Sequence, residues 1–208
     1  MDVVVAGGHG QVGIRLLRLL ADGGHRARGL IRNPDHADDL TAVGAEPVVC
    51  DMEALDDLSE CCAGADAVVF AAGAGPGSGP ERKRTVDYGA AVKLMEAGVS
   101  RYVMVSAIGA GRPDDWSEEM RPYYEAKAGA DERLVESGLD YTIVRPGGLT
   151  DDPGTGRVRV GTNLDYGNIP RDDVAAVLLA VLETPGTVGK TFELVSGDTP
   201  VDEALRTL

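Results

Sequence analysis

The amino-acid sequence predicts a single α/β domain, residues 1–208, built on a doubly wound parallel sheet. Strand-like and helix-like segments alternate along the whole chain, and the strand-like segments are continuous runs of apolar residues. Such alternation gives a parallel sheet with helices on both faces, and strands covered on both faces are apolar throughout. The length of 208 residues also suits one domain with one well-buried core.

Seven segments have the length and the β-branched, apolar composition of buried strands. Most of them are followed by a helical pattern, so we expect right-handed crossovers to join them into one parallel sheet. The predicted strands are residues 3–6, 26–31, 47–50, 67–70, 102–106, 141–145 and 191–195.

Six segments carry apolar residues at helical spacing, and several end in a glycine that can act as a C-terminal cap. The last of them has Asp172 and Asp173 in its first turn, where the helix dipole favours negative charge. The predicted helices are residues 10–23, 34–43, 53–61, 81–98, 118–138 and 171–183, with a further short helix at 199–207.

The first strand runs directly into three spaced glycines, Gly7, Gly10 and Gly13, which precede a helix with an apolar stripe. Glycines at this spacing let the backbone turn tightly, approach a pyrophosphate without an intervening Cβ, and pack the helix against the strand. The unpaired N–H groups at the start of the helix then face the phosphates. We therefore predict a Rossmann dinucleotide-binding turn whose cofactor contacts come from Gly7, Gly8, His9, Gly10, Gln11 and Val12.

The residue after the second strand indicates which dinucleotide is bound. An acid there binds the ribose hydroxyls of NAD, whereas an arginine accommodates the 2′-phosphate of NADP. The sequence has Arg32 at this point and no acid before Asp35, so it predicts NADP(H) as the cofactor.

The third and fourth strands are followed by residues that could hold the adenosine. Asp51 has two equally supported roles, because it could contact the nucleotide or cap the helix expected near Glu53. The predicted cofactor contacts in this region are Asp51, Met52, Ala71, Ala72 and Gly73.

The charge of the chain limits the classes of partner. A net charge of −14 argues against nucleic-acid binding, because phosphate contacts need a basic surface. Four lysines stand against 34 acids, which favours a halophilic source over an ordinary acidic protein. The sequence has no apolar run near the ~20 residues of a membrane span and no signal peptide, so we expect a cytoplasmic protein with no membrane partner.

The three cysteines are Cys50, Cys61 and Cys62, an odd number with two of them adjacent. No histidine lies near them at metal-ligand spacing, and we predict no metal site. We interpret the cysteines as small core residues in a reducing compartment rather than as a disulfide.

Three long or glycine- and proline-rich loops follow strands: residues 71–80, 107–117 and 146–169. Because the carboxyl ends of parallel strands meet at one edge of the sheet, these loops should cluster there and form a small substrate pocket.

A catalytic group is predicted beside this edge. Tyr123 and Lys127 are four residues apart, so they share one face of a helix, where the ammonium can lower the pKa of the phenol and hold the cofactor ribose. A tyrosine of this kind can act as general acid or base on a carbonyl. Ser106, at the end of the fifth strand, could hydrogen-bond the same carbonyl oxygen.

On these residues the chain resembles an atypical short-chain dehydrogenase/reductase of the NAD(P)H-binding, epimerase/dehydratase-like (NmrA-like) subgroup. The resemblance covers essentially the whole chain. It depends on the glycine turn, Arg32, Asp51, Ser106, Tyr123, Lys127 and the segment 137–150. It implies that Ser106, Tyr123 and Lys127 are the family's catalytic serine, tyrosine and lysine, and that Pro146 lies beside the nicotinamide.

Two positions depart from the usual pattern of the superfamily. Asp87 stands where typical members carry an asparagine, and a carboxylate cannot donate a hydrogen bond as an amide does. Pro122 precedes Tyr123 and suits the first turn of a helix. Tyr123 could therefore lie near the helix start, with Tyr124 as the alternative residue facing the nicotinamide.

The function predicted from these features is an NADPH-dependent oxidoreductase acting on a small carbonyl, quinone or flavin-like substrate. A non-catalytic NADP(H)-binding redox sensor that regulates a partner is the alternative, supported by Asp87 and by the absence of a separate substrate domain. Sugar-nucleotide epimerisation is disfavoured, because the C-terminal portion is too short to hold a nucleotide sugar.

Overall fold

The computed structural model describes residues 1–75 and 77–208; residue 76, inside the predicted loop 71–80, lies outside the described residues. The strands are β1 (Asp2–Ala6), β2 (Arg26–Ile31), β3 (Glu46–Val49), β4 (Ala67–Phe70), β5 (Arg101–Val105), β6 (Asp140–Pro146), β7 (Gly148–Thr150), β8 (Arg157–Gly161), β9 (Asn168–Pro170), β10 (Lys190–Ser196) and β11 (Thr199–Pro200).

The α-helices are α1 (Gln11–Asp22), α2 (Ala37–Ala42), α3 (Ser59–Cys62), α4 (Gly79–Arg82), α5 (Ala91–Met95), α6 (Arg121–Glu136), α7 (Arg171–Glu183) and α8 (Val201–Leu205). A π-helical segment, Lys83–Ala90, joins α4 to α5, and single 3₁₀ turns lie at Pro34–His36, Pro113–Asp115 and Pro185–Thr187. Within the described residues no helix is long and apolar enough to cross a membrane.

The central sheet has nine strands in the order β11-β8-β10-β6-β5-β4-β1-β2-β3. The strands from β10 to β3 are parallel to one another, and β8 and β11 extend the β10 edge in antiparallel pairing. All seven predicted strands are present within one residue of their expected bounds. The order, which reverses direction beside β1, confirms the doubly wound α/β fold.

The core lies on both faces of the sheet because successive side chains of a buried strand point to opposite sides. In β1, Val3 and Val5 pack with α1 and α7, whereas Val4 and Ala6 pack with α5 and α6. All four of these side chains have no exposed surface, which explains the unbroken apolar run at the start of the sequence.

The predicted helix at 53–61 is wrong, since only Ser59–Cys62 is helical. The carboxylate of Asp51 accepts the N–H groups of Glu53 and Ala54. The ammonium of Lys93 binds the backbone carbonyls of Met52, Glu53 and Leu55 at 2.9, 3.2 and 2.6 Å. Because these carbonyls accept hydrogen bonds from Lys93, the segment forms a turn instead of a helix.

The predicted loop 146–169 contains short strands that the sequence analysis did not identify. Strands β7 and β9 pair with each other, and β8 pairs antiparallel with β10. In β8 polar and apolar residues alternate, with Val158 buried and Arg157 and Arg159 exposed. An edge strand with one covered face has this pattern, whereas the seven predicted strands are continuous apolar runs. The helical segment predicted at 81–98 begins earlier, at Gly79, and ends at Met95.

The prediction that the cysteines form no disulfide is also wrong. Cys50, directly after β3, is bonded to Cys61 in α3, and their Cα atoms are 6.4 Å apart, within the range that a disulfide requires. The two are 11 residues apart, on either side of the irregular segment that Asp51 and Lys93 hold. Cys62 is a free, buried thiol, and burial raises its pKa to about 11.

Replacement of Gly13 by alanine should destabilise the fold, because a Cβ at this position would collide with the carbonyl oxygen of Gly7. Overpacking of this kind costs roughly 1–3 kcal/mol, or a fall in Tm of about 3–10 °C. Calorimetry of the Gly13→Ala variant and of the unmutated protein measures this fall in Tm. Gly186→Ala is the matched control, since a Cβ there meets nothing within 4 Å. Equal Tm values for both variants would contradict the close approach of α1 to the turn.

Candidate functional site

A cleft of about 1300 Å³ lies at the carboxyl edge of the parallel strands, beside β1 and between β2 and β4. Open α/β sheets bind ligands at this edge, where the strand order reverses. The cleft wall is formed by the glycine turn, the residues that follow β2 to β6, and the start of α6. All three predicted loops contribute, residues 107–117 only through Ala107 and Ile108.

Gly7, in the glycine turn, packs too tightly for any side chain. Gly7 has a φ of +82°, and a Cβ there would lie 2.8 Å from the backbone of Ala72. The N–H of Gly10 donates to the carbonyl of Gly7 at 2.8 Å, and α1 begins at the next residue. The first-turn N–H groups of α1 are thereby held at the edge of the cleft, which suits a bound phosphate.

Most of the predicted cofactor contacts line the cleft: Gly7, His9, Gly10, Gln11, Val12, Arg32, Asp51, Met52, Ala71, Ala72, Gly73, Lys127 and Pro146. Gly8 has a packing role instead, because a Cβ on it would lie 2.8 Å from the Cα of Gly29. His9 stacks on His36 with the ring centroids 3.7 Å apart, and its Nε2 lies 2.8 Å from the carboxylate of Asp39.

One end of the cleft carries two arginines that share a carboxylate. Arg32 and Arg82 contact Oε2 of Glu53 at 3.1 and 2.8 Å, and Thr85 donates to Oε1 at 2.9 Å. Burial raises the pKa of Glu53, but the hydrogen bonds from Thr85 and Arg82 and the two positive charges outweigh it, so the net shift is downward. The arrangement holds Arg32 at the cleft wall.

Asp51 fulfils the capping role that we had considered for it. Its Oδ1 accepts the N–H of Glu53 at 3.0 Å, and the residue also lines the cleft. The cap closes a turn rather than a helix, so the carboxylate fixes the loop that carries Glu53 towards the two arginines.

At the other end of the cleft a buried ion pair joins α6 to the π-helical segment. Nζ of Lys127 lies 3.3 Å from Oδ1 of Asp87 and donates to the carbonyl of Val105 at 3.1 Å. Oδ2 of Asp87 accepts the N–H of Ala74 at 3.2 Å. Asp87 is 1% exposed and Lys127 is 5% exposed, so both charges are compensated inside the protein.

Tyr123 lies in the first turn of α6 with Pro122 before it, as the sequence predicts, and it lines the cleft with Lys127. The expected lowering of the phenol pKa by Lys127 is wrong for this arrangement. The pKa of Tyr123 is raised, first by burial and then by the negative charge of Asp87. The ammonium of Lys127 pairs with Asp87, whereas that of Lys83 lies 5.0 Å from the centre of the Tyr123 ring.

Tyr124 also lines the cleft, so both tyrosines remain available to a ligand. Trp116 stacks on Tyr124 with the ring centroids 5.7 Å apart and donates to the carbonyl of Gly109 at 2.8 Å. The indole thereby anchors the loop 107–117 against α6.

Ser106 belongs to a second buried polar network. Its hydroxyl donates to Oδ2 of Asp131 at 2.8 Å, and Nε of Arg145 donates to the same oxygen at 2.9 Å. Ser106 and Asp131 are 4% and 2% exposed. Burial raises the pKa of Asp131, although Arg145 and Ser106 act in the opposite direction.

The sequence analysis missed several charged residues of this region, among them Glu53, Arg82, Asp131 and Arg171. Asp131 follows Lys127 by four residues and lies on the same face of α6, a spacing that could have identified it. Arg171, at the start of α7, lines the cleft and pairs with Asp151 at 2.9 Å. Glu53 lies in an irregular segment, and so does Asp151, the partner of Arg171. In such segments no periodicity indicates which way a side chain points.

The site therefore combines a backbone cradle for phosphates, a charged cluster at one end, and buried serine, lysine and carboxylate groups with a tyrosine at the other. This is what a dinucleotide site with a reacting end requires.

Comparison with known proteins agrees with this geometry. Residues 7–185 match the family described as NAD(P)H-binding. The chain is 41% identical to "Uncharacterized sugar epimerase YhfK" of Bacillus subtilis (strain 168), over the full length of both proteins. A solved structure from Bacillus halodurans, "Putative NAD-dependent epimerase/dehydratase", is 39% identical and covers 100% of both chains with a TM-score of 0.95.

The fold is shared with a further solved structure whose name gives an activity. ChuY, "An Anaerobillin Reductase from Escherichia coli O157:H7", is 26% identical, with coverage of 95% of this chain and 98% of that chain and a TM-score of 0.79. The match over residues 7–185 and the full-length similarity to the Bacillus proteins extend well beyond the glycine turn. The chain belongs to the NAD(P)H-binding family of atypical, NmrA-like short-chain dehydrogenases/reductases.

Proposed function

We propose that this protein is an NADPH-dependent reductase of a small carbonyl, quinone or flavin-like substrate. The observation that carries the proposal is the position of Ser106, Tyr123 and Lys127 in the same cleft as the glycine turn. A dinucleotide lying along this cleft would extend from the phosphate cradle to these three side chains. The 26% identity to ChuY, a protein named as a reductase, supports a reductive reaction.

The residues present fit a nicotinamide dinucleotide. Gly7 and Gly10 line the cleft without a Cβ, which lets a pyrophosphate approach the backbone, and Pro146 lines the same cleft. When bound, the cofactor supplies a hydride. Arg32 favours the 2′-phosphate of NADPH, although that phosphate must compete with Glu53 for the guanidinium.

In the proposed mechanism Tyr123 donates its phenolic proton to the substrate oxygen, Ser106 orients that oxygen, and Lys127 holds the ribose. The raised pKa of Tyr123 keeps the phenol protonated, which suits donation of a proton during reduction. The same shift makes Tyr123 a poor base for the reverse reaction, because the phenol would have to ionise first.

A redox sensor that binds NADP(H) without turnover is the second candidate function. One observation favours it: the ammonium of Lys127 is engaged by Asp87 and by the carbonyl of Val105, which leaves Tyr123 without help from its charge. Tight NADPH binding by an unmutated protein that reduces no member of a panel of quinones, aldehydes and flavins would support this candidate. The B. subtilis relative is named as an uncharacterized sugar epimerase, which favours neither the reductase nor the sensor.

The conditions under which the protein works are also a proposal. The charge of −14 with four lysines supports a salt-rich cytoplasm, with a small molecule as the partner rather than nucleic acid or membrane.

Replacement of Tyr123 by phenylalanine tests the reductase directly. We expect NADPH oxidation with the panel of acceptors to fall by about a hundredfold, because the variant lacks the proton donor. The Kd for NADPH, measured by fluorescence titration, should stay within about twofold. Tyr124→Phe is the matched control. Full activity of Tyr123→Phe with loss in Tyr124→Phe would transfer the role to Tyr124.

Replacement of Arg32 by alanine tests the choice of cofactor. The variant should bind NADPH about tenfold more weakly than the unmutated protein and bind NADH unchanged, because only NADPH carries the 2′-phosphate. Isothermal titration with both cofactors gives the ratio. Equal losses for the two cofactors would show that Arg32 does not contact the 2′-phosphate.

Replacement of Asp87 by asparagine should lower the pKa of Tyr123. The carboxylate of Asp87 disfavours the phenolate, and a neutral amide removes that repulsion, so the phenol should ionise at a lower pH. The measurement is the absorbance titration of Asp87→Asn minus that of Asp87→Asn/Tyr123→Phe, compared with the same difference in the unmutated background. A midpoint for Tyr123 that stays unchanged or rises would contradict the assigned electrostatics.

A further inference from the structure

The reductase proposed above consumes one proton for each hydride, and this inference rests on that function. Reduction of a carbonyl places a hydride on its carbon and takes the proton of Tyr123 at its oxygen, which leaves Tyr123 as a phenolate. The next turnover requires that proton to be replaced. Substrate and cofactor occupy the cleft beside Tyr123 during turnover. A proton path from another side of the protein would reach Tyr123 without displacing them.

A second cavity, of about 230 Å³, lies behind Ser106. Asp131 and Arg145 line it, together with Ala110, Gly111 and the outward-facing residues Glu132, Val135 and Glu136 of α6. The last three residues are exposed, so the cavity opens to solvent. Its volume exceeds that of several water molecules, each of which needs about 30 Å³.

Asp131 connects the two spaces. Ser106 lines the main cleft, Asp131 lines the second cavity, and the two side chains are joined by the 2.8 Å hydrogen bond. Oδ1 of Asp131 is buried and has no hydrogen-bond partner among residues 1–75 and 77–208. A buried carboxylate oxygen in this state is costly, and a proton taken up by Asp131 would lower that cost.

We propose that Ser106 and Asp131 form a proton relay that resupplies Tyr123 from the second cavity. In the ionised state of Asp131, Ser106 donates to it. When Asp131 takes a proton from cavity water, the hydrogen bond reverses: the acid donates to Oγ of Ser106, and the Ser106 hydrogen turns to the product oxygen. Ser106 then gives that hydrogen to the product oxygen and takes the proton of Asp131, while the original hydroxyl hydrogen of the product passes to the phenolate of Tyr123, so that Asp131 returns to its carboxylate. The net change is one proton moved from solvent to Tyr123.

The charges around Asp131 fit this exchange. Arg145 and Lys127 favour its carboxylate, whereas burial opposes it, and Glu132 and Glu136 line the same cavity as further negative charges. Burial has the larger effect and raises the pKa of Asp131, a shift towards the protonated form. Asp131 acts through Ser106 and touches no substrate, so it is a proton-carrying residue rather than a catalytic one.

The kinetic test compares the unmutated protein with Asp131→Asn, using NADPH and menadione in rapid-mixing experiments. The amide keeps the shape of the side chain but cannot carry the proton. We expect the first turnover at the normal rate, followed by a steady state about tenfold slower. A structural defect would slow both phases, and that result, like a normal steady state, would overturn the relay. Asp131→Glu should restore the steady-state rate.

Glu193→Gln is the matched control. Glu193 is a carboxylate with 3% exposure that pairs with Arg112 at 3.0 Å, so it resembles Asp131 in burial and in its arginine partner. It does not contact Ser106, and the relay predicts no separation of first turnover from steady state in this variant. A normal first turnover followed by a slower steady state in Glu193→Gln would show that loss of any buried carboxylate separates the two phases. That result would overturn the relay.

An infrared measurement decides the relay independently of turnover. The difference spectrum of the unmutated protein minus Asp131→Asn, with NADP⁺ bound, should show a carboxylic acid band that grows as the pH falls and shifts in D₂O. No such band in the pH range of the folded protein, or a band that does not exchange with D₂O, would overturn the relay. If menadione and the other acceptors are not reduced at all, the proposed function fails, and this measurement still tests proton access to Asp131.

Discussion

The close approach of backbone segments at the glycine turn is the constraint on which the rest of the site depends. Gly7 faces the backbone of Ala72, and Gly13 faces the carbonyl of Gly7, at separations that leave no room for a Cβ. These contacts bring the ends of β1 and β4 and the start of α1 together at one edge of the sheet. The phosphate cradle, the width of the cleft and the direction of α1 all follow from this packing.

The reacting end depends on a different principle, the compensation of buried charge. Asp87 with Lys127 and Asp131 with Arg145 are two ion pairs, and both carboxylates are almost fully buried. Removal of one partner from such a pair leaves an unpaired buried charge, which is strongly destabilising. The two pairs have different roles. The pair of Asp87 and Lys127 determines the charge next to Tyr123, and the pair of Asp131 and Arg145 holds the hydroxyl of Ser106.

The sequence was sufficient to predict the parallel sheet, because its strands are continuous apolar runs and its turn glycines have a specific spacing. It also predicted which ends of the strands would meet, and therefore the cleft. It did not predict the state of Tyr123. The four-residue spacing to Lys127 indicated an interaction, but the ammonium pairs with Asp87, a residue on another helical segment.

Three other features of the structure could not be predicted from the sequence, because they also depend on tertiary contacts. The turn at 52–54 depends on Lys93, about 40 residues further along, and the Cys50–Cys61 bond closes the loop that contains this turn. Asp131 was visible in the spacing of α6, but its partner Arg145 comes from β6. Contacts between distant segments decide these features, and local patterns carry no information about them.

The most direct test of the account is a crystal structure of the protein with NADP⁺ bound. We predict the pyrophosphate over the glycine turn, the 2′-phosphate at Arg32, and the nicotinamide between Pro146 and the group formed by Ser106, Tyr123 and Lys127. A dinucleotide in the opposite direction, or a nicotinamide remote from Ser106 and Tyr123, would contradict the assignment of this cleft as a reductase site.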